Sequence, residues 1–535
     1  MSNACGAAKP IRSDEGIRRE RFLTAARGAV ALCLLLLASL ASASEEIPWS
    51  EDTEDPTLIS LGIVGARVKT DHLLPNRPES HSSSGVVRYI FKHGPAEGKL
   101  KLGDEIIGVN GEPFNRNFSR RMGEAIDSSQ GHGRVLSLDI TRAGKPITVN
   151  FPTPTCGSFS DTYPAKCHKS AIILEKACDW LARHQWPNGK LESDRNSGYL
   201  VLTAVAGLDW LATGNRKYKK NIDLTAKYMI EYFAAKRNPD GHFGGVSLEG
   251  WQLMYGAMFL SEYYLASHDG RVLPTLHWIN DEINYLQFRN ISPKTLATLR
   301  AKYPDPRETE PDYEPFPPYW FAHELVTADV RLSLSQDCHL GVNTANALVA
   351  WQLLGECGVA VDRDTITKTL DYVEVAGPSG QMPHTGSRHQ PGNDSGAFGR
   401  TGILAVACQM ENKRPEYSQK IRDILVRDFP ENCFISPHSS SMGKAWGLIG
   451  LAALDREAFR KAMDDIKYDF DLIRLPDGRF VANPGPDPRG DHWDLTSPHQ
   501  RYGHVWTTAF NAFIFSLSSE HLRLTGGGKG HAVPR

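Results

Sequence analysis

Turn signals recur at a nearly constant interval through the last two-thirds of this chain. The prolines that mark them stand 52, 54, 85, 52 and 46 residues apart, at Pro187, Pro239, Pro293, Pro378, Pro430 and Pro476. Self-similarity at a long period is typical of repeat architectures, in which each unit buries its apolar face against its neighbours. The longest interval contains a segment rich in proline and charge, residues 294–336, which we interpret as an insertion.

Between these turns the apolar residues follow a helical period. An amphipathic segment precedes each turn, and a segment rich in small residues follows it, as in 168–184 and 198–213. Small residues let helices approach closely, so we assign the second kind to an inner ring and the first to an outer ring. We therefore predict an all-α (α/α)6 toroid of six helical hairpins over residues 156–524, with a flexible tail at 525–535. A closed ring needs no polar caps, whereas an open solenoid does.

Two stretches carry a resemblance to a known fold. Leu181–Gly189 resembles the repeat of terpene cyclases and protein prenyltransferase β-subunits, in which a helix ends in Gln followed by Asn/Asp-Gly. Tyr502–Phe510 resembles their last inner helix. The resemblance implies an α/α toroid. It does not imply terpene cyclisation by protonation, because Asp362-Arg363-Asp364 lacks the last carboxylate of the Asp-x-Asp-Asp acid.

Residues 48–155 have a different pattern, with short alternating strands separated by turn residues. Asn110-Gly111 lies between two strand-like runs and predicts a hairpin. Gly94–Glu97 and the run Leu102–Pro113 look like a PDZ domain, and Ser60–Ile63 resembles the carboxylate-binding loop of that family. We thus predict a multidomain chain, in which a small β-rich PDZ-like domain precedes the toroid.

The PDZ resemblance implies a binding site. Leu61, Gly62 and Ile63 would form the loop that holds a peptide C-terminus, and residues 118–128 would form the helix beside the groove. Such peptides add a strand to the edge of the sheet. The alternative is that the groove is closed and the domain is a packing spacer.

The first 43 residues predict export. A basic stretch precedes the apolar run Gly28–Leu40, and Ala41-Ser42-Ala43 is a small-x-small cleavage pattern. These features are typical of a secretory signal peptide, and we expect a secreted or periplasmic protein. The alternative is an uncleaved membrane anchor, although the apolar run is short for a span. Signal peptide, PDZ-like domain and toroid together resemble a family of secreted bacterial proteins of unknown function.

Polar side chains gather where the predicted inner helices begin. We take His438, His504, Asp394 and Arg400 as candidate catalytic or ligand-binding residues. Helix N-termini favour anions, so this end of the toroid is a candidate polar or anion-binding site. The alternative is that several of these residues only cap helices, as Asp394 can. Asp464, Asp465 and Asp469 lie on an outer helix among lysines, where we expect a solvated face.

No cofactor is indicated by the sequence, and we predict no metal ligands. Protein prenyltransferases use an Asp-x-Cys motif and a His as metal ligands. In this chain Asp337 and Cys338 are adjacent, so their combination with His504 departs from that pattern. Cleavage after Ala43 leaves seven cysteines, among which Cys156, Cys167 and Cys178 are close enough in sequence for one local disulfide.

Three functions stay open. The first is an exported protein that binds peptide C-termini and carries a polar ligand site in its toroid. The second is a toroid enzyme acting on a glycan or an isoprenoid-like substrate. The third is a non-catalytic envelope scaffold. The formal net charge of −2 gives no support to nucleic-acid binding, and no segment after the leader is apolar enough to span a membrane.

Overall fold

The computed structural model describes residues 58–70, 82–192, 199–244, 249–287, 297, 341–383, 397–429, 432–433, 440–481, 498–519 and 521–526. The predicted signal peptide, nearly all of the insertion and most of the tail lie outside these residues, as do Asp394 and His438.

An antiparallel sheet forms the N-terminal part, which we call the module (residues 58–155). Its strands are β1 Ile59–Ser60, β2 Ala66–Thr70, β3 Gly85–Ile90, β4 Glu105–Val109, β5 Glu112–Pro113, β6 Val135–Arg142 and β7 Lys145–Pro152. They pair in the order β1-β2-β3-β4-β6-β7, and β5 pairs with β4 outside this path. Alternating apolar residues such as Leu136, Leu138 and Ile140 point into its core. Helix α1, Phe118–His132, covers this core through Phe118, Met122 and Ile126.

Helices follow the module and fall into two kinds. Helices with one buried stripe are α2 His168–Arg183, α4 Lys219–Ala235, α6 Leu273–Tyr285, α8 Arg363–Ala376, α10 Pro415–Asp428 and α12 Arg456–Ile473. Helices buried on nearly all sides are α3 Tyr199–Thr213, α5 Glu249–Ser267, α7 Gly341–Glu356, α9 Ala397–Glu411, α11 Ser440–Leu454 and α13 Pro498–Phe515. A helix that is apolar all round belongs in an interior, and an amphipathic one belongs on a surface. No helix within the described ranges is both long and apolar enough to cross a bilayer.

The inner helices form a closed row. Each contacts the next in the order α3, α5, α7, α9, α11 and α13, and α13 in turn contacts α3. Glycines allow the closest approach, because a Cβ on Gly399 would lie 2.6 Å from Gly443 Cα and one on Gly402 would lie 2.1 Å from Trp446 O. These pairs keep the same spacing along both helices, so α9 and α11 run parallel. The outer helices return the chain between them.

A tight turn recurs between an outer helix and the next inner helix. Gly189, Gly380 and Gly478 adopt φ near +95°, where glycine carries no steric penalty. Each packs on the backbone of the next outer helix, and Gly478 closes the circle by contacting Lys176 of α2. Two residues after each glycine, a backbone N–H donates to a threonine of the following inner helix: Leu191 to Thr203, Met382 to Thr401 and Phe480 to Thr508, at 3.0–3.1 Å.

Candidate functional site

Buried polar side chains concentrate in the N-terminal halves of the inner helices, which we call the mouth of the ring. Those that the structure describes include Glu249, Asn343, Asn346, Arg400, Ser441, Lys444 and His504. Because the inner helices run in one direction, their N-termini and the partial positive charge of the helix dipoles gather at this end. The mouth therefore combines hydrogen-bonding groups with a field that favours anions.

Aromatic side chains close the interior below the mouth. Trp446 Nε1 on α11 donates to the Tyr255 hydroxyl on α5 at 2.7 Å, and these two helices lie opposite each other in the ring. Phe510 of α13 packs edge-on against Tyr255, with ring centroids 6.4 Å apart. Trp251 lies one turn nearer the mouth and stacks parallel to Tyr255. The interior is thus filled at this level, and a ligand in the mouth would rest on an aromatic floor.

Arg400 lies in the first turn of α9 and is 6% exposed. Its neighbours Gly399 and Thr401 face α11 and the preceding turn, respectively. Successive helix residues point about 100° apart, so Arg400 occupies the side directed to α7 and the interior. Arg400 thus places a buried guanidinium at this end of α9, and a guanidinium is a planar cation suited to recognising oxygen-rich ligands.

His504 is also 6% exposed and lies on α13. It shares a face with Asn511, since residues seven apart superimpose after two turns. Asn511 Nδ2 donates to Ser441 Oγ at the start of α11, 3.3 Å away. His504 therefore lies roughly 10 Å beyond that bond, above the first turn of α11.

Two of the four candidate toroid residues are thus located on the helices that flank α11: Arg400 on α9 and His504 on α13. Asp394 and His438 fall outside the described residues, in the segments that lead into α9 and α11. No cluster of His, Cys, Asp and Glu suited to a metal ion occurs in the part of the chain that the structure describes.

An ion pair that the sequence did not suggest lies beside this site. Lys444 Nζ on α11 donates to Asp469 Oδ2 on α12 at 3.1 Å, and both side chains are buried. The expectation of a solvated face is correct for Asp464, which pairs with Lys467, but wrong for Asp469. The helical period could have shown this, because Asp469 shares its stripe with Ala462, Ile466 and Ile473, which are all buried.

The predicted peptide-binding loop is covered by the same chain. Leu61, Gly62 and Ile63 are buried, and residues 62–64 form a short 3-10 turn that contacts α12. A Cβ built on Gly62 would lie 1.9 Å from Asp471 O, so the two backbones touch. In this structure the residues predicted to bind a peptide therefore face α12 of the same chain.

The cysteines form no bridge within the described residues. Cys156, Cys167, Cys178, Cys357, Cys408 and Cys433 are free and buried. The local disulfide that the sequence allowed among the first three is therefore absent. Burial raises the pKa of the Cys178 thiol well above its ordinary value, which keeps that thiol protonated and unreactive.

Comparison with solved structures gives remote similarities over most of the chain. A family 76 glycoside hydrolase from a bovine Bacteroides thetaiotaomicron strain has 10% identity and a TM-score of 0.43, and the match covers 72% of this chain and 83% of the hydrolase. A type II terpene cyclase from Scytonema, solved with geranylgeranyl dihydroxybenzoate, has 11% identity and a TM-score of 0.40, covering 66% of this chain and 98% of the cyclase. No curated protein matches the sequence.

A family model matches residues 170–290 and 321–526, which is more than half of the chain and spans the ring of helices. The model is described as a domain of unknown function. The protein therefore belongs to the DUF6288 family.

Proposed function

We propose that the mouth of the ring binds an acidic glycan, with Arg400 and His504 on its wall and Asp394 and His438 completing the site. The observation that carries this proposal is a polar, cation-bearing end above an interior that the Trp446–Tyr255 hydrogen bond closes. We treat the ring as a six-hairpin toroid and the chain as an exported protein, processed after Ala43.

A glycan fits the mouth better than an isoprenoid. Buried amide, hydroxyl and guanidinium groups lose free energy when they face an apolar ligand, but a sugar's hydroxyls can satisfy them. Pockets for small molecules are commonly lined by aromatic rings with a few convergent polar groups, and Trp251 lies one turn nearer the mouth than the buried Tyr255. The buried cation and the helix N-termini favour a carboxylated sugar over a neutral one.

Turnover of the glycan would require more than binding. Hydrolysis of a glycosidic bond ordinarily uses two carboxyl groups that flank it. Glu249 begins α5 at the mouth and is buried, and Asp394 precedes α9 in the sequence. A product released from the bound glycan would convert the binding proposal into an enzymatic one.

The test is binding of uronic-acid oligosaccharides, neutral oligosaccharides and an isoprenyl diphosphate to the chain Ser44–Arg535, measured by titration calorimetry. We expect binding of the acidic glycan, and at least a tenfold loss of affinity in Arg400→Gln and in His504→Gln, about 1.4 kcal/mol each. Arg427→Gln is the matched control, because Arg427 lies exposed on α10 and pairs with Asp428.

Preference for the isoprenyl diphosphate, or equal affinities in all three variants, would refute the proposal. Melting temperatures of the free variants distinguish a lost contact from a lost fold. Export is tested separately by sequencing the N-terminus of the protein from the extracytoplasmic fraction, where Ser44 is expected as the first residue.

A further inference from the structure

Helix α12 lies in the groove of the module. Its Tyr468 and Leu472 belong to the same buried apolar cluster as Ile63, Met122 and Ile126 of the module. The helix runs along α1 and reaches both the loop at residues 62–64 and strand β1. One segment of the ring of helices is therefore part of the hydrophobic core of the module.

Glycines bring the module and α12 into backbone contact at two places, one on α1 and one in the loop at residues 62–64. A Cβ on Gly123 of α1 would lie 2.4 Å from Tyr468 O, and one on Gly62 would lie 1.9 Å from Asp471 O. Real Cβ atoms do not approach so closely, so any larger residue must push α12 away. Arg120 adds a hydrogen bond to Asp465 O at 3.0 Å and covers the Tyr468 ring.

A buried ion network lies at the end of α12. Lys169 of α2, 0% exposed, contacts Asp471 of α12 at 2.7 Å and Asp127 of α1 at 2.6 Å. Arg474 donates to Asp471 at 3.0 Å and to Gln130 of α1 at 3.0 Å. The network contains two cations and two carboxylates, so its formal charges cancel. Each charged group has an opposite charge beside it, and burying any of them without one would be costly.

We infer that the groove of the module is a permanent docking site for α12, so that the module braces one wall of the mouth instead of capturing free peptides. The loop at residues 62–64 uses its N–H groups within the module, because those of Leu61, Gly62 and Val64 donate to Ala66 O, Ser60 Oγ and Leu61 O. Its contact with α12 therefore rests on close packing of the two backbones. Here Asp471 O, in the last turn of α12, lies against Gly62 of that loop.

An adjacent side of α12 connects its contact with the module to the mouth. Asp469, between Tyr468 and Asp471, pairs with Lys444 of α11. One turn before Lys444, Ser441 accepts the hydrogen bond from Asn511 of α13, the helix that carries His504. Displacement of α12 would therefore disturb α11 and α13 at the mouth. This role is independent of which ligand the ring binds.

Hydrogen exchange of the chain Ser44–Arg535, followed by mass spectrometry, tests the inference. Gly123→Leu should accelerate exchange about tenfold in the last turn of α12 and several-fold in the first turns of α11. Arg120→Ala is a milder variant that removes one contact with α12 and should give a smaller change in the same segments. Arg121→Ala is its matched control, because Arg121 is the next residue of α1 and is exposed.

Unchanged exchange in α12 and α11 in both Arg120→Ala and a folded Gly123→Leu would overturn the inference. If Gly123→Leu does not fold, the pair of arginine variants decides. Fluorescence polarisation with peptides that end in an apolar residue and a free carboxylate provides a second readout. We expect no binding to the wild-type chain, and binding that also accelerates exchange in α12 would show that the groove opens to partners.

Discussion

Glu262 shows how burial controls a single residue. It lies fully buried in α5, where its Oε1 accepts a hydrogen bond from the backbone N–H of Leu524 at 2.8 Å. Burial raises its pKa from 4.5 to about 7, because the carboxylate loses its hydration, and the backbone hydrogen bonds offset only part of this cost. The folded chain thus holds this proton more tightly than the unfolded chain does.

The sign of this shift predicts a pH dependence. The contribution of Glu262 to the free energy of unfolding should be greatest below pH 4.5 and should decrease as the pH rises to about 7, by up to about 3 kcal/mol. Glu262→Gln does not titrate, so urea unfolding should show it gaining stability over the wild type between pH 4.5 and pH 8. Glu231→Gln, an exposed acid paired with Lys227, should show no such gain. Parallel pH profiles for wild type and Glu262→Gln would contradict the buried-acid explanation.

At the scale of elements, the recurring turns were the most predictable part of the fold. The spacing of the prolines and the Pro-x-Gly motifs predicted helices before and after each turn, and the helix expected at 168–184 is observed as His168–Arg183. Helical period and left-handed glycines are local properties, so neighbouring residues encode them. The threonine that accepts the hydrogen bond from each turn was not predicted. Its distance from the donating residue varies between 12 and 28 residues, so no fixed spacing marks it.

Substitutions of two glycines in equivalent turns distinguish the cost of backbone strain from the cost of lost packing. Gly478 has φ +98° and its added Cβ would lie 2.5 Å from Lys176 O, whereas Gly241 has φ +90° and open space around it. Gly241→Ala should lower the free energy of unfolding by roughly 1–2 kcal/mol, the cost of a left-handed alanine. Gly478→Ala should lower the free energy of unfolding by at least about 1 kcal/mol more than Gly241→Ala does, because α2 must also move. Equal losses in urea unfolding would show that the contact with α2 contributes nothing.

At the scale of the whole molecule, the ion network makes the module and the ring one structural unit. Lys169 bridges Asp127 and Asp471 at 0% exposure, and Lys217 bridges Glu175 and Asp179 at 38% exposure. The two lysines make comparable contacts, so the difference between them is burial. Removing Lys169 leaves buried carboxylates without their cation, whereas water replaces Lys217.

We therefore expect Lys169→Met to destabilise the chain by about 3–5 kcal/mol and Lys217→Met by less than about 1 kcal/mol, measured by urea unfolding. Because the module shares a core with α12, the sheet and the helices should unfold in one transition. Circular dichroism and tryptophan fluorescence, recorded on the same samples, should therefore report the same transition. Two separated transitions in the wild type, or equal effects of the two lysine variants, would show that module and ring are independent.

The sequence by itself determined that a β-rich part precedes the helices, and that helices of an inner and an outer kind alternate along the rest of the chain. Each of these depends on period or composition over a few turns of chain. Only the tertiary structure decided that Gly62 and Gly123 face α12, that Asp469 pairs with Lys444, and that Lys169 meets Asp471 302 residues away. Such contacts depend on which distant surfaces fit together, and that fit is a property of the packed molecule that no local pattern in the sequence encodes.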